Sequence, residues 1–231
     1  MDERRHILQP LLRDEEVRRA LAEKFRNTFG AHAYNHLAPM MAQDLVRDLA
    51  RLLLDDDHRA GSLVNLYRKA REPGIHKALR DQFRKIPDKW HDQPGPIPGL
   101  SEEQTARIRE KWRGKDREDF EASFDEGWAS VRDAVSNLEI DPVAEKVKTF
   151  RDKYHAHLEM APLGRDPGPF DVASLGLTYN DLLDFADRYM RAVFELTRIL
   201  TGNVFDVEGF SEAHRRHGSD MWRILAGLDS N

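Results

Sequence analysis

The chain has 231 residues, 40% of them hydrophobic and 33% charged, with a formal net charge of −5; that suits a soluble globular protein, in one large domain or two small ones, and confines any nucleic-acid contact to a local patch. No apolar run approaches the roughly 18 to 20 residues that span a bilayer, and the opening MDERRHILQPLLRDEE is too charged for a signal peptide, so no membrane association and a cytoplasmic location are expected. The absence of cysteine excludes a disulfide framework, a thiolate metal site and a cysteine nucleophile.

Nearly every periodic segment is helical, and period-two runs of Val, Ile and Thr are missing, which predicts an all-α fold. The first helices run over 1–29, with Pro10 and the Arg13–Asp14 region as expected interruptions. Leu37, Met41, Leu45, Leu49 and Leu52 form the next apolar stripe, and Pro39 marks its start or a kink. Asp55, Asp56, Asp57 and Gly61 end it. Two shorter helices follow over 62–71 and 74–86, separated by Pro73 and Gly74. Between Arg68 and Lys85 stand seven basic residues (Arg68, Lys69, Arg71, Lys77, Arg80, Arg84, Lys85) against two acids. Such an excess reads either as a solvated helical face or as a phosphate-facing patch.

Residues 88–100, DKWHDQPGPIPGL, read as a loop inserted between bundle helices. Ser101 and Gln104 make a capping box for the next helix, which is densely charged to about Asp119. Phe120, Phe124, Trp128, Val131, Val135 and Leu138 then continue as an apolar stripe. A further helix is expected over 141–160: Asp141 caps it, Pro142 fits its first turn, and Val143, Val147, Phe150, Tyr154 and Leu158 recur on one side. A second Pro/Gly-rich loop follows. Thr178 and Asp181 open a helix whose broad apolar face (Leu182, Phe185, Tyr189, Val193, Leu196, Leu200) predicts a central position in the bundle. Gly202 and Asn203 end it, and a last helix is expected over 210–228.

The sequence has no Gly-rich phosphate loop, nucleophile elbow or paired-histidine zinc motif. His32 and His36 lie four apart and His214 and His217 three apart, so each pair shares a helix face. Two imidazoles without a clear third ligand read better as surface or capping residues than as a metal site, and neither metal nor cofactor is expected. The Asp55–Asp57 run lacks the alternation of a calcium loop and reads as a helix terminus.

One motif remains: Arg151-Asp152-Lys153-Tyr154-His155-Ala156-His157. An Arg followed by a polar residue, with four to six residues between the Arg and a His (five here), resembles the signature of HEPN domains, as do Ala156 before the His and Leu158-Glu159 after it. Arg26 to His32, Arg51 to His58 and Arg71 to His76 also satisfy the spacing; the first contains Gly30 and the last Pro73-Gly74. The Arg151 copy differs in lying late in a well-capped amphipathic helix. The Leu52–Asp55 helix end, the Ser62-Leu63 start and the Leu177–Leu182 start resemble the AbiU-type abortive-infection branch of that family. The resemblance covers about residues 20–201, within one helical domain spanning 1–231.

The resemblance implies an up-and-down helical bundle, here with added N- and C-terminal helices and two Pro/Gly-rich loops. It implies a homodimer and metal-independent RNA cleavage in phage defence or a toxin–antitoxin setting. Arg151 would hold the scissile phosphate, His157 would move a proton as general acid or base, and Asp152 would orient one of them. His155 stands where the family usually has an apolar residue. Six residues turn a helix by about 600°, so Arg151 and His157 would point about 120° apart and lie about 9 Å apart along the axis. Such a pair serves one phosphate poorly unless the helix loosens or two copies meet across a two-fold axis. The competing reading is structural: His157 as a hydrogen-bonded core histidine, Arg151 as an ion-pair partner, and the bundle as an interaction module for an antitoxin protein.

Overall fold

The computed structural model describes residues 2–92, 95, 97–156, 171–203 and 206–229, and among them there are helices and turns but no strand. The chain is all-α. Its elements are α1 (Asp2–Arg13), α2 (Glu15–Phe25), α3 (Gly30–Leu49), α4 (Leu63–Ala70), α5 (Pro73–Arg84), α6 (Asp88–His91), α7 (Glu102–Glu139), α8 (Pro142–Phe150), α9 (Tyr179–Thr201) and α10 (Val207–Ala226). Two of them continue into wider π-helical turns, α3 through Ala50–Leu54 and α8 through Arg151–Ala156. None of the described helices is long and apolar enough to cross a membrane.

Local chemistry sets most boundaries. Asp14 accepts from the Val17 amide at 3.1 Å and so starts α2. The break therefore falls at Asp14, while Pro10 sits inside α1. Pro39 likewise lies within α3, which begins well before it at Gly30. Ser101 and Gln104 form the expected reciprocal box, as do Thr178 and Asp181. The first residues of the expected 88–100 loop form the single turn of α6. The last helix starts at Val207 because Asp206 accepts from the Gly209 amide at 2.9 Å.

The main core joins α3, α4, α7, α8 and α9, with single side chains from α1 and α5. Helix α9 is its centre: Leu183, Phe185, Ala186, Tyr189, Leu196 and Ile199 are all buried, as a helix packed on several sides requires. One sequence expectation changes at the end of the α3 stripe. Leu45 and Leu49 point inward as expected, but the next buried leucine is Leu53, at 0% exposure, and Leu52 is left at 36%. Leu53 follows Leu49 by the same four residues that separate Leu49 from Leu45, so the buried line runs through Leu53 and Leu52 falls to its side. A smaller cluster of Leu11, Val17, Leu21 and Trp222 joins α1, α2 and α10 at one corner.

Candidate functional site

The motif begins where α8 changes character. Asp141 starts the helix by accepting from the Val143 amide at 2.9 Å. The same carboxylate accepts from Arg188 at 2.6 Å and from the Tyr189 hydroxyl at 2.9 Å, both on α9, and its side chain is only 3% exposed. A buried carboxylate needs such partners. Burial first, and then the adjacent Asp141 charge, push the Tyr189 phenol up to about 12, so it remains a donor. Ala144, Val147 and Phe150 then dock α8 onto the core.

At Arg151 the backbone widens into the π turn. The Arg151 Nε donates to Asp152 Oδ1 at 2.7 Å, and a terminal guanidinium nitrogen lies 2.6 Å from the same oxygen. The two side chains are 23% and 44% exposed, so the pair reaches solvent. Departures from α-helical pitch concentrate at functional positions. The turn widens at the arginine, whereas the loosening that the Arg-to-His geometry calls for lies nearer the histidine. His157 lies outside the described residues, as does the 157–160 end of the expected helix.

The three other spacing matches straddle helix ends. Asn27, beside Arg26, adopts a left-handed backbone (φ 57°) in the turn between α2 and α3. Arg71 caps the end of α4, and α5 begins at Pro73, before His76. Arg51 lies in the first π turn and His58 in the turn beyond it. Only from Arg151, among these four, does helical backbone run unbroken for the next five residues.

The basic residues of 68–85 divide into two groups. Arg80 forks onto Asp125 of α7 at 2.7 and 2.6 Å and also meets Glu121 at 2.5 Å, while Arg84 lies 3.6 Å from Glu121. The first of these bonds holds the Asp125 carboxyl below its usual range and raises the Arg80 guanidinium. On α4, Arg68 donates to the Asp56 carbonyl at 3.1 Å, and Lys69 donates to the His58 carbonyl. Arg71, Lys77 and Lys85 are exposed. Lys148, three residues before Arg151, lies 3.8 Å from the Asp56 carboxylate. Asp56 therefore touches both the α4 end of the basic patch and the helix that carries the motif.

A cavity of about 440 Å³ opens beside α8, walled by Phe150, Val46, Val172, Leu177, Tyr179 and Leu182 among others. No local pattern announces it, because its walls come from separate elements. The Asp141–Tyr189 bond had a faint signal: a tyrosine on an otherwise apolar stripe needs a partner for its hydroxyl. Of the histidine pairs, His32 and His36 stack edge-on with ring centres 4.5 Å apart. His214 Nδ1 lies 2.9 Å from Asp2 Oδ2, and the His217 ring centre is 6.4 Å from that of His214. Among the described residues no group of three or more His, Cys, Asp or Glu side chains is placed to hold a metal.

The family profile of HEPN AbiU2 matches residues 3–221. The chain belongs to the AbiU2 family of HEPN proteins. The match extends beyond the 20–201 span of the sequence resemblance and takes in nearly all of α1 and most of α10. No curated relative and no solved structure matches the chain. An abortive-infection-type HEPN protein on an all-α bundle is thus the level at which family and fold agree.

Proposed function

We propose that this AbiU2-family chain is a metal-independent endoribonuclease acting as a homodimer in phage defence or a toxin–antitoxin pair. The observation that supports this reading most is the solvent-reaching Arg151–Asp152 pair on a widened turn, at the end of a helix held by a buried carboxylate. In this mechanism Arg151 neutralises the scissile phosphate with the fork of donors that Asp152 orients. His157 takes the proton of the RNA 2′-hydroxyl as that oxygen attacks phosphorus, or returns one to the departing 5′-oxygen. Two copies related by a two-fold axis would combine the arginine of one with the histidine of the other. Exposed Arg71, Lys77 and Lys85 would meet further phosphates, with Arg68, Lys69, Arg80 and Arg84 available only by exchanging the partners described above.

The test is cleavage of cellular RNA in the presence of a chelator by wild type, His157→Ala and Arg151→Ala. Loss of the proton-transfer group should slow cleavage about 10²- to 10⁴-fold. Equal rates in all three, or cleavage by none, removes the enzyme.

A second reading has its own support. Arg151 is already paired with its neighbour, and Arg80 and Arg84 already face carboxylates. Those pairings suit a non-catalytic bundle that binds a partner such as an antitoxin. Expression toxicity separates the two: a nuclease loses it with Arg151→Ala while remaining folded, and a binding module does not.

A further inference from the structure

Trp90 on α6 is 55% exposed, and its ring is held by an edge-on contact with Phe120 of α7, centres 5.4 Å apart. Lys89 precedes it, and Lys85 lies one turn back, where its carbonyl accepts from the Asp88 amide at 3.1 Å. Both lysines are exposed, and neither is held in a hydrogen bond or salt bridge among the described residues. The acids of this turn are engaged. Asp88 accepts both arms of the Arg117 fork at 2.7 and 2.8 Å, and Asp92 accepts from Arg113 at 2.8 Å. On α6 and the turn before it, the free charges are therefore positive. Exposed Lys77 begins the same row. The neighbouring His76 ring lies 4.6 Å from that of Trp128, eight residues along α7 from Phe120, so the row from Lys77 to Trp90 follows α7 for about 12 Å. Asp81, a turn from each of Lys77 and Lys85, interrupts the row and leaves its tryptophan end the more positive.

We propose that this end of the row is a stacking platform for single-stranded RNA: one base lies on the Trp90 ring while Lys85 and Lys89 hold the flanking phosphates. An indole offers a large π face on which every base can stack, so the contact tolerates any sequence. It selects single strands, because the bases of a duplex are already stacked on one another. The contact with Phe120 fixes the ring before a base arrives, so little rotamer freedom is lost on binding. Trp112, 51% exposed on α7, has no such anchor, since its ring meets no other among the described residues. The proposal rests on RNA being the substrate. It adds the class of RNA, a single strand, and a hold on it that belongs to other elements than the Arg151 turn.

The experiment measures fluorescence anisotropy of a labelled RNA of about 12 nucleotides, single-stranded or annealed to its complement, with the full chain carrying His157→Ala so that the probe stays intact. In that background Trp90→Ala should weaken single-strand binding about 5- to 100-fold, and Trp90→Phe should restore most of it. Phe210→Ala, which removes an aromatic side chain of the same 55% exposure from α10, should change nothing. Lys89→Ala should lower the slope of log affinity against log salt by about 0.7. Helical circular dichroism should be the same for all the variants. Single-strand binding unchanged by Trp90→Ala overturns the proposal, and so does a chain that prefers the duplex. A chain that binds neither RNA also overturns it and leaves Trp90 to a protein contact. Cleavage by the unsubstituted chain is scored separately. Cleavage with no effect of Trp90→Ala on binding removes the platform alone, whereas Trp90-dependent binding without cleavage keeps the platform and removes the nuclease.

Discussion

The two π turns of this bundle make an instructive pair. Both continue a regular helix of the bundle. Ala50–Leu54 buries Ala50 and Leu53 completely, so it packs as part of the core, continuing the inward line of leucines 45, 49 and 53. Arg151–Ala156 begins with three charged residues, none of them buried. Burial of those three side chains does not explain why the helix should widen there. The same backbone device therefore serves stability in one place and leaves the other as a candidate for chemistry, the distinction one expects between a packing adjustment and a functional departure from regular structure.

The comparison breaks most readily at Leu53. Leu53→Ala removes a fully buried side chain and should cost about 2 to 5 kcal/mol, whereas Leu52→Ala next to it, one third exposed, should cost about 1 kcal/mol or less. Chemical denaturation of the two variants measures the difference. Equal losses would mean that Leu53 does not face the core as described.

Asp141→Ala should come next. It removes the α8 cap, for about 1 kcal/mol, and leaves the Tyr189 hydroxyl without its acceptor, for about 1 to 3 kcal/mol more. Amide hydrogen exchange should show α8 losing protection ahead of α9. If α8 and α9 open together, Asp141 supports the whole bundle rather than the helix that presents Arg151.

How much of this was legible in the sequence follows from distance along the chain. Ser101, Asp141 and Thr178 announced their helices because a cap bonds within two or three residues. The family signature at Arg151 was legible for the same reason. Leu52 and Leu53 could not be told apart, because both continue the stripe and only the packed core selects one. Arg188 and Tyr189 stand 47 and 48 residues from Asp141, and Asp125 stands 45 from Arg80. Pairings of that separation depend on how α8 crosses α9 and α5 crosses α7. The basic excess of 68–85 was visible, but not that Arg80 and Arg84 would spend it on the acids of α7.

The smallest stability effect should fall where the comparison matters most. Asp152→Asn keeps the shape of the side chain and removes its charge. Because the Arg151–Asp152 pair reaches solvent, screening limits its contribution to about 0.2 to 1 kcal/mol. A melting temperature nearly equal to wild type is therefore expected, together with slower RNA cleavage, since Asp152 would orient Arg151 without touching the phosphate. Arginine without its orienting charge should bind RNA with little change and cleave it less often per bound molecule. The readout is thus a fall in kcat at steady KM. A large loss of stability with no change in cleavage would reverse the assignment and make the second π turn a structural element like the first.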